Sequence, residues 1–236
     1  MSHIVLLGDS IFDNASYVHR NRGEEPVINQ LQARIPFGWT ATLEAHDGDV
    51  VRNVKQQIER LPKDASHLAI SVGGNNALAQ WRILQEPASS VGDALANLAR
   101  TKADFRCDYR EMLQAVCALG KPAIVCTVYD HFSLSNEQDV PGGHEILLAA
   151  LSVFNDVIID EAVRAGIPVL DLRRVCDQID DYSDISPIEP SATGSVKIAE
   201  AVWRIIATHD FSRKQTVVFG KELLAEQRCA AIPELR

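Results

Sequence analysis

"HIVLLGDSIFDN" (residues 3–14) is an apolar run that stops abruptly at Gly8, Asp9 and Ser10. Five residues of this hydrophobicity bounded by a glycine are the length of a buried strand. Such a strand would deliver Ser10 to the edge of a sheet. A serine hydroxyl there is a weak nucleophile until a neighbouring base takes its proton.

Apolar runs of strand length recur at 3–7, 41–45, 67–72, 123–128 and 167–170. Segments of helical periodicity lie between them, at 51–61, 91–119 and 144–165, and a last one near 195–207. Alternation of this kind predicts a parallel sheet covered on both faces, a three-layer α/β/α sandwich with five strands. In such sheets ligands bind beyond the carboxyl ends of the strands. Ser10, "GGNN" (73–76) and "YDH" (129–131) each follow a strand, so they are expected along one edge. The pattern is complete by residue 209, which sets 210–236 apart as an extension. Within it "TVVF" and "KELLAEQ" are a potential short strand and helix, either a tail or an element of packing or assembly.

The composition narrows the partners. A net charge of −9, from 32 acidic and 23 basic residues without a basic run, argues against nucleic acid and anionic membranes. The N-terminal apolar run is shorter than a signal peptide's and has no basic residues before it. No stretch is long enough to span a bilayer. Five scattered cysteines without CxxC spacing point to reduced thiols in a cytoplasm, and no pair of histidines has metal-ligand spacing. The expected partner is therefore a small molecule, with no metal or cofactor; a homo-oligomer is left open.

"SVGGNNAL" (71–78) ends the third strand with two glycines and two asparagines. Glycines let backbone approach a ligand closely, and an asparagine amide can donate to a developing oxyanion. With "GDS" and "GGNN" in this order, the chain resembles the SGNH, or GDSL-type, serine hydrolases over roughly residues 3–208. The resemblance implies a flavodoxin-like fold with strand order 2-1-3-4-5, and esterase or lipase chemistry. It makes Ser10 the nucleophile, and it makes the Ser10 N–H, the Gly48 N–H in "AHDGDVV" and the Asn75 amide the oxyanion donors. The family's last block carries a histidine. Here, aligned on Pro190, Ser191 and Gly194, Glu189 stands in its place and Ser186 in that of the usual aspartate.

Three alternatives for the base follow. Glu189 could serve, oriented by Ser186, if burial or the negative field of Asp9, Asp13 and Asp184 raises a pKa that is ordinarily about 4.3. A histidine could arrive from another loop, His131 or His46. Or the site binds an acyl or glycosyl ligand without hydrolysing it; an acyltransferase is a further option. Asp9, Asp13, His131 and Ser186 are the candidate substrate contacts. Asp13 and Asn14 have a plainer explanation as caps of the following turn, and Trp39 and Trp81 as core. An internal ion pair accounts for "DLRRV" (171–175). Hydrolysis of a small ester is expected to lose activity below about pH 6.

Overall fold

The computed structural model describes residues 2–130 and 143–222. Among the described residues, six strands form one parallel sheet: β1 (Ser2–Gly8), β2 (Trp39–Leu43), β3 (His67–Ser71), β4 (Ala123–Cys126), β5 (Val169–Leu170) and β6 (Val218–Phe219). Their order is β2-β1-β3-β4-β5-β6. The sheet thus has six strands, not the five expected. The extra one comes from "TVVF", whose Val217 carbonyl accepts the Val169 N–H and whose Phe219 carbonyl accepts the Asp171 N–H.

Among the described residues, seven α-helices cover the sheet: α1 (Val27–Gln32), α2 (Val54–Glu59), α3 (Gly74–Ala79), α4 (Val91–Ala118), α5 (Gly143–Ala165), α6 (Leu172–Val175) and α7 (Ala192–Thr208). Successive strand residues point to opposite faces, so β1 feeds two cores. Ile4 and Leu6 pack with Val27 and Leu31 of α1 and Ile198, Val202 and Ile205 of α7. Val5 and Leu7 pack on the other side with Phe105, Tyr109 and Met112 of α4 and Val157 and Ile158 of α5. Buried Glu161 of α5 fastens α5 to α4 through Arg106 and Arg110.

The junction of β1 and β3 positions the site. At Gly8 (φ +124°) a Cβ would fall 1.8 Å from the Ser71 carbonyl oxygen, an impossible contact. Only glycine permits the approach that lets the Asp9 N–H bond Ser71 O at 3.0 Å. The chain then turns sharply, and Ser10 lands beside the "GGNN" turn at the carboxyl edge.

The sixth strand carries a measurable consequence. Ending the chain at Asp210 would unpair the β5 edge and remove Phe219, which is 3% exposed. Loss of one buried phenylalanine costs about 3 kcal/mol, so thermal unfolding is expected about 10 °C lower. An unchanged midpoint would place residues 211–236 outside the cooperative core.

Candidate active site

Ser10 and Glu189 meet although 179 residues separate them in sequence: the Ser10 hydroxyl donates to Glu189 Oε1 at 2.9 Å. Each is 6% exposed. Glu189 arrives on the loop before α7, held by its N–H to Ser186 O (3.0 Å) and by the Ser183 N–H to its carbonyl (2.8 Å). Ser186 therefore supports Glu189 through its backbone. The other carboxyl oxygen, Oε2, is buried with no partner among the described residues.

Asn14 locks the two loops together. Fully buried, its amide donates to Pro190 O (3.1 Å) and Ser195 Oγ (2.7 Å) and accepts the Val27 N–H (2.9 Å). One side chain thereby ties the serine loop to the Glu189 loop, α7 and the start of α1. The expectation that Asn14 caps its own turn is corrected: its side chain makes no cap bond there, because all three of its polar contacts are long-range. Asp13 accepts the Asp47 N–H at 3.0 Å, which pins the 46–49 loop rather than a cap.

The "GGNN" turn opens α3. Asn75 donates to Asp49 O at 2.9 Å, which fixes the amide's orientation and leaves its second N–H without a partner among the described residues. Asn76 accepts the Val51 N–H instead. Gln57, fully buried, bonds both the N–H and the carbonyl of Gly8 and also Asp49 Oδ2. Strand β1, the 46–49 loop and Asn75 thus form one connected frame. Gly48 lies exposed in that loop at φ +85°.

Burial and like charge set the electrostatics. Asp9, 2% exposed, accepts the Ile11 N–H at 3.2 Å. Desolvation outweighs that bond and raises its pKa from 3.8 to about 7. Glu189 is raised from 4.5 to about 8, first by desolvation, then by the charges of Asp9 and Asp47, against the lowering effect of the Ser10 bond. Asp184, expected to contribute, instead bonds exposed-side His19 at 2.8 Å.

Of the histidine alternatives, His46 is exposed and its Nδ1 meets the Asp47 carbonyl; His131 lies outside the described residues. Arg173 forms a bidentate pair with Asp171 at 2.7 Å, in keeping with the ion-pair explanation. Trp39 packs against Trp203 and His67, whereas Trp81 lines a cavity. That cavity, about 140 Å³, opens beside Ser10, Glu189 and Asn75 and runs between α3, α4 and α5 along Val72, Leu98, Leu151, Phe154 and Tyr129.

The sequence profile of the GDSL-like lipase/acylhydrolase family matches residues 6–195. The chain belongs to this family. As a GDSL-type protein it is a carboxylic-ester hydrolase. A search of curated protein sequences gives no match. Among solved structures, the extracellular lipase of Streptomyces rimosus is similar, with 16% identity, TM-score 0.63 and coverage of 86% of this chain and 98% of the lipase. Phospholipase A1 of Streptomyces albidoflavus shares 17% identity at TM-score 0.61, covering 85% and 97%. An acetyl xylan esterase of Geobacillus stearothermophilus shares 20% at TM-score 0.55, covering 86% and 94%. At these identities the likeness concerns the three-layer fold of GDSL hydrolases.

Sequence reasoning passed over Asn14, Gln57 and Asp47 as functional residues. An asparagine four positions after the serine was the one available signal; nothing marks Gln57 within its helix.

The raised carboxyl makes stability depend on pH in a definite direction. A group whose folded pKa is raised holds its proton more tightly in the folded state. Stability is intact below the unfolded value of 4.5 and falls as pH rises toward about 8. Glu189→Gln carries no such charge. Its melting point is expected to exceed that of the wild type at pH 8 and to approach it near pH 5. Parallel melting curves across that range would mean Glu189 ionises freely.

Proposed function

We propose that this GDSL hydrolase works through a serine–glutamate pair, cleaving esters whose acyl group is apolar and short. The single observation carrying the proposal is the 2.9 Å hydrogen bond from Ser10 to a carboxylate oxygen buried with it. In ester cleavage Ser10 Oγ attacks the carbonyl carbon as its proton passes to Glu189 Oε1. The carbonyl electrons move onto oxygen, where the Ser10 N–H, the Gly48 N–H and the free N–H of Asn75 stabilise the charge. Collapse expels the alcohol oxygen, which takes the proton back from Glu189. Water then attacks the acyl-serine with Glu189 again as base, releasing the acid and restoring Ser10.

A carboxylate of ordinary basicity would be a poor acceptor for a serine proton. Burial corrects this by moving Glu189 to about 8, close to an operating pH near neutrality. The Asp9 carboxyl beside it contributes charge and lines the cavity. The cavity is of the order of the roughly 150 Å³ that admits a benzene-sized guest, which favours a short acyl chain over a long one. Residues 1–209 form the catalytic unit, with 210–236 as an extension whose first part closes the sheet edge. The free cysteines, Cys126 and Cys176 among them buried, suit a reducing cytoplasm.

Kinetics on a short-chain nitrophenyl ester test this. Ser10→Ala should abolish turnover and covalent labelling by a fluorophosphonate. Glu189→Gln should lower kcat/KM by about 10²- to 10⁴-fold, while His46→Ala and His131→Ala remain mild. Wild-type kcat/KM should rise with pH through about 8, since the base must be ionised; the buried site moves this limb up from the pH 6 expected from sequence. If His131→Ala is the damaging change and Glu189→Gln is mild, the base is His131. Asn75→Ala should cost about 10²-fold or more in kcat, with folding retained.

A further inference from the structure

Among the described residues the Glu189 carboxyl has a single hydrogen-bond partner: Oε1 accepts from Ser10, and Oε2 is buried without one. A carboxyl so sparsely held takes its direction from its own backbone. That backbone is fixed on both sides. The Glu189 N–H donates to Ser186 O at 3.0 Å, and the Glu189 carbonyl accepts the Ser183 N–H at 2.8 Å. The Ile188 carbonyl lies in the same peptide plane as the Glu189 N–H. It accepts the Tyr129 hydroxyl at 2.8 Å.

The Ser183 and Ser186 bonds lie inside the loop and would travel with it. Tyr129 instead reaches in from the sheet. It follows β4, and its backbone is anchored by Asn155 of α5, a buried amide that accepts the Val128 N–H and donates to the Val128 carbonyl, each at 2.8 Å. The Tyr129 ring is buried edge-on against Tyr182, with centroids 4.8 Å apart, and Tyr182 pairs with Pro190. Burial, and then the charge of Glu189, push the Tyr129 phenol well above its ordinary range, so it stays a donor at neutral and mildly alkaline pH. The ring of this one side chain lines the apolar cavity while its hydroxyl holds the peptide that carries Glu189.

We infer that Tyr129 is a positioning residue for ester hydrolysis: by holding the Ile188–Glu189 peptide, its hydroxyl aims the Glu189 carboxyl at Ser10, while its ring walls the cavity that takes the acyl group. This rests on the reading of Glu189 as the base and adds the residue that aims it. Asn14 does the matching task one peptide further on, at Pro190 O. Small displacements of a reacting group cost rate steeply, so a bond that fixes this peptide bears on turnover as well as on folding. The titratable groups that act on Glu189 or feel its charge are Asp9, Asp47, Tyr17 and Tyr129.

The test is Tyr129→Phe, which removes one oxygen and keeps the ring. On a short-chain nitrophenyl ester kcat should fall about tenfold or more, while KM changes by less than about twofold because the cavity wall is intact. A loosened loop lets water reach Glu189, whose pKa then drops from about 8 toward 4.5. A base of lower pKa is ionised at lower pH, so the acid limb of kcat/KM should move down in pH. Tyr182→Phe controls for stability alone: it deletes another buried hydroxyl, bonded to Cys176 O at 2.8 Å, and should lower the melting point with kcat and the limb unmoved. Added to Glu189→Gln, Tyr129→Phe should cost little further. Wild-type kcat and limb in Tyr129→Phe, or its full loss repeated in the Glu189→Gln background, would overturn the inference. If Glu189→Gln alone is mild, the reading of the base fails, and a carbon-13 titration of the Glu189 carboxyl in Tyr129→Phe decides the inference by itself: a midpoint below the wild type's supports it, and an equal midpoint overturns it. Should Tyr129→Phe not fold, 4-aminophenylalanine at position 129, a poorer donor on the same ring, takes its place under the same criteria.

Discussion

A carboxyl group held out of water against a serine hydroxyl is the constraint on which this site depends. Carboxylates resist burial because the charged form loses its solvation. At Glu189 that cost takes the form of a raised proton affinity, to about 8. On the mechanism proposed above, the same property that makes the loop expensive to fold makes the carboxylate basic enough to take a proton from serine. Stability and chemistry oppose each other here in one residue.

Such a group stays buried only if the surrounding backbone leaves it no way out. Asn14 supplies much of that restraint, since its three hydrogen bonds join the serine loop, Pro190 next to Glu189, and α7. Helix α7 is in turn started by Ser191, whose hydroxyl accepts the Gly194 N–H at 3.1 Å. On the opposite flank Gln57 fixes Gly8 and Asp49, and Asp49 fixes Asn75. Ser10, Glu189 and Asn75, the proposed nucleophile, base and oxyanion donor, are thus each anchored to a different element along one sheet edge. This is the preorganisation that electrostatic catalysis requires.

Much of this was legible in the sequence. Strand and helix periods gave the three layers, and the glycines of "GGNN" were read as letting backbone approach a ligand, whereas the close pass of Gly8 against the Ser71 carbonyl was not foreseen. Glu189 was found through the resemblance to the GDSL family, by aligning its last block on Pro190, Ser191 and Gly194. Other features were not legible because their causes are long-range. Val218–Phe219 is two residues long, too short for any period, and becomes a strand only because β5 offers an unpaired edge. Asn14 looks like a local cap, yet its partners lie 13, 176 and 181 residues away. The apolar cavity is a property of how α3, α4 and α5 meet, with Trp81 on its wall while Trp39 went to a separate aromatic cluster. The direction of the Glu189 shift could be reasoned from sequence, but the burial that sets its size could not.

The most direct test is to watch the Glu189 carboxyl itself. With carbon-13 labelled glutamate, the Glu189 side-chain resonance is assigned by its absence in Glu189→Gln and followed against pH. A titration midpoint near 8, coincident with the acid limb of kcat/KM, is the expected result. A midpoint near the ordinary value of 4.5, with the kinetic limb elsewhere, would contradict the assignment of Glu189 as the base.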